Sequence, residues 1–192
     1  MPTIISNDFD QNTGQGVIKF ATDVSSVGER AFYYCTGLAS IILGNSVTSI
    51  GKSAFNSCSS LTSVMIPNSV KSIGESAFED CIGLTSVTIP NSVASIGDAA
   101  FFGCSGLTFV TICNSVTSIG IFAFNSCRSL TSITIPNSVT WIGYSAFEGC
   151  SQLSSISYTG TISQYNSITK GGRWNFNVPA TVVHCTDGDT PI

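Results

Sequence analysis

The stretch Leu84-Thr85-Ser86-Val87-Thr88-Ile89-Pro90-Asn91-Ser92-Val93-Ala94-Ser95-Ile96-Gly97-Asp98-Ala99-Ala100-Phe101-Phe102-Gly103-Cys104 decides the fold, because its pattern recurs with a step of 23 residues. Cys35, Cys58, Cys81, Cys104, Cys127 and Cys150 keep that step, and so do Phe32, Phe55, Phe78, Phe101, Phe124 and Phe147. The corner glycines Gly28, Gly51, Gly74, Gly97, Gly120 and Gly143 and the leucines Leu38, Leu61, Leu84, Leu107, Leu130 and Leu153 follow at their own offsets. A fixed period of this length marks stacked supersecondary units, none of which can bury its apolar face alone. The chain is a solenoid.

Within the unit, Leu84, Val87 and Ile89 have the spacing of a short strand, with Val87 and Ile89 on one face by the period of two. Pro90-Asn91-Ser92 turns the chain, because proline cannot continue a hydrogen-bonded central strand. Val93 and Ile96 return to the core from a second extended segment. Gly97 makes a tight corner, and Ala99 to Cys104 reads as a short helical or 3₁₀ turn. Each coil thus points a Leu, Val, Ile, Val, Ile, Ala, Phe and Cys inward, and neighbours must stack at roughly the 4.8 Å strand spacing to cover them. The ends should differ, to protect the open core and the strand edges. Residues 1–16 match no repeat and read as an N-terminal cap, with Val17-Ile18-Lys19-Phe20 a degenerate first strand. The repeats then occupy 17–165, fading through Ile156, Tyr158, Ile162 and Tyr165, and 166–192 form a C-terminal cap.

Composition narrows the function. Of 192 residues, 43% are hydrophobic and only 9% charged, against a norm of roughly 25%. Ser and Thr fill roughly a quarter of the positions. An ordinary apolar fraction and a mean hydropathy of +0.35 exclude disorder. With a net charge of −4 and no Lys/Arg cluster, neither nucleic acid nor an anionic membrane is an expected partner. No apolar window of about 18 residues exists, so no membrane insertion is expected. Met1-Pro2-Thr3-Ile4-Ile5-Ser6 lacks the basic and apolar regions of a signal peptide.

The order L-x-x-V-x-I-P-x-x-V-x-x-I-G-x-x-A-F-x-x-C resembles the BspA-like class of leucine-rich repeats. The ending Ser157-Tyr158-Thr159-Gly160-Thr161, Ile168-Thr169-Lys170-Gly171, Trp174 and His184-Cys185-Thr186-Asp187-Gly188-Asp189 is similar to the tail that often closes such arrays. The match covers about residues 17–190. It implies a leucine-rich repeat solenoid of six to seven coils, α/β by convention but mostly β with short helical or 3₁₀ turns, capped at both ends. It also implies a bacterial-surface or secreted setting, cell surface or secreted for this chain, and work as an adhesin, an inter-bacterial adhesion factor or a ligand of innate receptors. No catalytic activity attaches to the repeat, so the resemblance implies no enzyme and no cofactor.

The residues carry no competing chemistry. The cysteine column offers either rung-to-rung disulfides or a buried, reduced stack of small apolar side chains. Parallel side chains fit poorly to the near-90° disulfide torsion, and a column cannot surround a metal tetrahedrally, so the reduced stack is expected. Cys113 takes the proline slot held by Pro67, Pro90 and Pro136, and reads as a free, reactive surface thiol. Cys185 lies in the cap, too distant for a bridge to it. His184, the only histidine, is expected to pack within the cap rather than to act as a base. Asp187-Gly188-Asp189 is too short for a calcium loop.

Two surfaces remain for binding. On the strands, Ser40/Ile42, Ser63/Met65, Ser86/Thr88, Phe109/Thr111, Ser132/Thr134 and Ser155/Ser157 should form a flat hydroxyl carpet, interrupted by Ile42, Met65 and Phe109. After the corner glycine, where Lys52, Glu75 and Asp98 stand elsewhere, one coil carries Ile121-Phe122 and the next Tyr144, with Trp141 in a serine slot. Ile121, Phe122, Trp141 and Tyr144 should form an exposed apolar patch, the kind that marks interaction sites. Phe102 and Tyr33-Tyr34 are similar departures. The expectation is a monomeric, non-enzymatic module that binds a protein or glycan, or else a rigid spacer or tip module of a larger cellular or viral surface protein.

Overall fold

The computed structural model describes the backbone of residues 4–10 and 15–20 and the whole of 24–192. Each coil contributes a front strand and a two-residue back strand. The front strands Ser40–Ile42, Ser63–Met65, Ser86–Ile89 and Phe109–Ile112 pair side by side and parallel. The back strands form one seven-stranded parallel sheet from Ser26–Val27 to Thr169–Lys170. The register is the sequence period itself: Ser86 opposes Phe109, Ser95 opposes Ser118, and Ser118 opposes Trp141. Alternation along Ser86–Ile89 leaves Ser86 and Thr88 in solvent and buries Val87 and Ile89.

The segment read as a helical turn is a run of turns that makes a third ladder. Phe78, Phe101 and Phe124 N–H donate to the carbonyls of Ala100, Ala123 and Ala146 in the next coil, each at 2.8 Å. Alternate amides bond within the coil, Ala100 N–H to Gly97 O at 3.2 Å and Cys104 N–H to Phe101 O at 3.3 Å. The outer ladder donors sit in the left-handed region: Ser76 and Asp80 at φ 54° and 55°, Phe122 and Ser126 at φ 56° and 60°. Left-handed backbone costs an L residue roughly 1–2 kcal/mol. The inter-coil hydrogen bonds offset that strain and explain why so few of these positions need glycine.

Between the ladders lies the core. Leu84, Val87, Ile89, Val93, Ile96, Ala100, Phe101 and Cys104 are all buried, as the period requires. Phe32, Phe55, Phe78, Phe101, Phe124 and Phe147 stack face to face, with centroids 5.1–5.4 Å apart. The corner glycines let backbones approach: a Cβ on Gly120 would lie 2.6 Å from the carbonyl carbon and oxygen of Gly97. Neither neighbour is a side chain that can swing away. Gly120→Ala should therefore cost about 1–3 kcal/mol by overpacking. Urea denaturation checks this, and an unchanged midpoint would contradict the close stacking.

The ends depart from the coil. Gln15–Phe20, which contains the degenerate strand 17–20, does not extend the front sheet but pairs antiparallel with Ile4–Asp10 in a two-stranded sheet of its own. Residues 1–3 and 11–14 of the expected N-terminal cap lie outside the described residues. At the other end the coil pattern runs past residue 165. Ile162–Asn166 is a short α-helix with a capping box between Thr161 and Gln164, and it replaces part of a coil. Thr169–Lys170 then joins the back sheet and Val182–Cys185 pairs with Ser155–Tyr158 in the front. Gly188–Pro191 folds back antiparallel to close that edge. Trp174 closes the phenylalanine column edge-on, 6.2 Å from Phe147.

The front face is divided. Among the described residues Phe109–Ile112 pairs only with Ser86–Ile89, and Ser132–Ile135 only with Ser155–Tyr158, so the two groups of front strands are not hydrogen-bonded to each other. A cleft lined by Phe109, Ile112, Asn114, Ser132, Thr134 and Thr159 opens there. The back sheet and the turn ladder run through this level without a break.

Candidate binding surface

The turn ladder sets two columns of left-handed residues, and the size of their side chains decides what reaches the surface. At the first left-handed position stand Arg30, Ser53, Ser76, Ala99, Phe122, Ser145 and Arg173. Where Ser53, Ser76 and Ser145 are small enough to be buried, the ring of Phe122 reaches solvent. Phe122 meets Tyr144 edge-on at 5.7 Å and Phe102 edge-on at 6.5 Å, making a continuous aromatic ridge over three coils. Phe122 and Tyr144 are 37% and 42% exposed, and Phe102 is half-buried. Tyr144 also lies against Gly172 of the last coil.

The four residues expected to form one patch are placed unequally. Phe122 and Tyr144 touch each other in solvent, whereas Ile121 and Trp141 are half-buried. Trp141 sits in the back sheet between Ser118 and Thr169, and among the described residues its ring stacks with no other. Phe102 takes its place in the ridge. On the front face Met65 opposes Ile42 in register, and both are largely exposed, at 70% and 86%. Phe109 stands apart from them at the cleft. Ser40, Ser63, Ser86, Thr88 and Thr134 face solvent, whereas Thr111, Ser132, Ser155 and Ser157 are half-buried, and Thr62, Thr85 and Thr108 at the strand entrances donate to the carbonyl of the preceding coil.

Sequence reading missed a depression beside the ridge. It is lined by Asp80, Phe102, Gly103, Ser105, Ser126 and Arg128, from three successive coils. Residues 23 apart meet there, and the signal that could have found it is a gap in a column: Gly103 stands where Ser57 and Ser126 stand in other coils.

The cysteines are all free thiols. Five are buried, and each donates to the phenylalanine carbonyl of the preceding coil, as Cys81 does to Phe55 O and Cys104 to Phe78 O, both at 3.1 Å. The column is thus a ladder of weak S–H donors as well as apolar filler. Burial, with the neighbouring thiol adding to it, pushes Cys58 up to about 11 and Cys81 to about 12. Cys35 is exposed, and Cys113 and Cys185 are partly so. A thiol-reactive chromophore should accordingly titrate three thiols in the native protein and all eight in denaturant. Rapid reaction of more than three would show that the core column opens.

His184 is not packed within the cap. The period of two along Val182–Cys185 turns Val183 inward and His184 outward, where its Nδ1 lies 2.8 Å from Asp189 Oδ1. Ser157 is its register neighbour, but among the described residues no hydrogen bond joins them.

Two stacked parallel sheets, a repeating core and an outward face of variable side chains define a leucine-rich-repeat solenoid, a scaffold class typically used for binding rather than catalysis. The profile described as BspA type Leucine rich repeat region matches residues 2–117 and 71–171, in 6 copies, and the chain belongs to that family. Among solved structures, the chain is 25% identical to a Treponema pallidum leucine-rich repeat protein, with a TM-score of 0.74, covering 91% of this chain and 86% of that one. It also shares its fold with a leucine-rich repeat protein of Eubacterium ventriosum, at 17% identity and TM-score 0.59, covering 79% of this chain and 47% of that one. The pneumococcal vaccine antigen PcpA is a third, at 18% identity and TM-score 0.54, covering 79% and 40%. No curated protein sequence matches the chain.

Proposed function

We propose that this chain is a non-enzymatic recognition region of a cell-surface or secreted bacterial protein, acting as a monomer on a protein or glycan ligand. The observation that carries this reading is the exposed ridge Phe102–Phe122–Tyr144, held on a ladder too rigid to fold the rings away. Rings presented on a fixed backbone lose little entropy on binding, which suits them as anchors. Family membership and the Treponema pallidum likeness support the setting. Ile121 adjoins the ridge at a half-buried position, Trp141 adds a half-buried ring on the neighbouring back sheet, and Met65 and Phe109 offer a second face for a larger ligand. With few charges available, affinity should depend weakly on salt.

Interferometry of the immobilised chain against matrix proteins, mucins and cell-surface glycans tests this. The control is the Phe122→Ser/Trp141→Ser variant. Serine occupies the same columns at Ser53, Ser76 and Ser145 and at Ser95 and Ser118, so the variant should fold normally. Saturable binding lost in the variant places the site on the ridge or the adjoining back sheet, and binding that survives moves it to the front sheet. No binding to any member of the panel would favour a rigid spacer instead, a role the unbroken back sheet would also serve.

A further inference from the structure

We infer that the depression at Gly103 is a subsite for a neutral hexose, resting on the recognition reading above and naming the ligand class for one part of the surface. The outer left-handed column runs Tyr34, Ser57, Asp80, Gly103, Ser126, Gly149. At Gly103 the side chain is missing, and the Asp80 carboxylate leans into the gap: a Cβ there would lie 2.1 Å from Asp80 Oδ1. The result is a shallow, open depression of about 390 Å³.

The walls are chemically sorted. Phe102 supplies an apolar ring on one side, the size of a pyranose face. Asp80 supplies a carboxylate acceptor, and Arg128 a guanidinium donor. Among the described residues neither side chain makes a hydrogen bond or an ion pair, so both are available. Ser105 adds a hydroxyl, and Ser126, which donates to Asn125 Oδ1 at 2.7 Å, keeps its acceptor lone pairs. A carboxylate, a guanidinium and two hydroxyls around an aromatic ring match vicinal hydroxyls on one edge of a sugar and C–H groups on its face. Asp80 and Arg128 carry opposite charges, so the walls have no net charge and offer a strongly charged ligand no net attraction, which suits a neutral ring.

The test uses the full chain and methyl glucoside, methyl galactoside and methyl mannoside, read by saturation-transfer NMR and calorimetric titration. At least one should bind weakly and show little change from low to high salt. Gly103→Ser puts a Cβ against Asp80 Oδ1, so the carboxylate must swing out of the gap; Ser57 and Ser126 carry the same left-handed angle at φ 60°, and the substitution removes both the notch and its acceptor. That variant should weaken binding about tenfold or more, with the fold retained by circular dichroism. Phe102→Asn, which copies Asn56 and Asn125 of the same column, should do likewise. Absence of binding by all three glycosides, or binding indifferent to Gly103→Ser, overturns the subsite. If the macromolecular panel still binds through Phe122 in that case, the recognition reading stands and only the sugar site falls.

Discussion

Raising the pH from about 9 to about 11 should unfold this protein cooperatively, because its core holds a column of thiols that cannot ionise while buried. An exposed thiol titrates near 9.0, whereas burial pushes Cys58 to about 11 and Cys81 to about 12 and holds Cys104 and Cys127 well above their ordinary value. Neighbouring thiols one coil away add to the burial, since two thiolates at strand spacing repel. Above pH 9 the unfolded chain therefore binds fewer protons than the folded one, and stability falls as pH rises; below 9 these groups contribute no pH dependence. Each such thiol removes about 1.4 kcal/mol per pH unit once the unfolded form ionises. Four together remove roughly 5 kcal/mol per unit, comparable to the whole stability of a typical domain at about 5–15 kcal/mol. Tyr158 and Tyr165, also raised by burial, add slope of the same sign near pH 10 and above. Urea midpoints by circular dichroism across this range provide the check, with the m-value expected to stay constant. The Cys81→Ala/Cys104→Ala variant should be less stable at neutral pH yet lose less between pH 9 and 11. A flat profile in the native chain would mean that the thiols are not held in the folded core.

The fold was legible because the period did the work of a structure. Eight inward positions at constant offsets leave one way to stack, and Leu84 to Cys104 all go where the alternation and the corner glycine send them. The turn segment was less legible. Its i→i−3 bonds have the spacing of a 3₁₀ turn, but the left-handed angles at Asp80 and Phe122 come from pairing with the next coil, which local propensity does not encode. The C-terminal helix was missed for a similar reason, since only the Thr161/Gln164 capping box announces five helical residues. The surface was read by looking for bulk where other coils are small. That search found Phe122 and Tyr144, which are indeed exposed and in contact. It overestimated Trp141, whose column belongs to the back sheet, and passed over Gly103, where the departure is a missing side chain. An absence becomes a feature only once Asp80 and Arg128 are seen on its two sides.

Phe101→Ala should destabilise the chain by about 3–5 kcal/mol and split its unfolding into two steps. The ring is fully buried between Phe78 and Phe124, 5.3 Å from each and nearly parallel to both. Removing it opens a void that the ladders prevent from closing, because the Phe101 amide and the carbonyls around it are fixed to adjacent coils. In a solenoid each coil touches only its neighbours, so stability is approximately a sum of coil and interface contributions. A weak interface at the centre therefore separates coils before it from coils after it. The later coils keep Phe124, Phe147 and the closing Trp174, and should melt last. Phe32→Ala provides the contrast: that ring is half-buried and, among the described residues, stacked only against Phe55. Its loss should cost much less and leave a single transition. Calorimetry of the two variants decides between a nearest-neighbour stack and a globally cooperative core. A single transition in Phe101→Ala, lowered no further than in Phe32→Ala, would contradict the stacked-column account of the core.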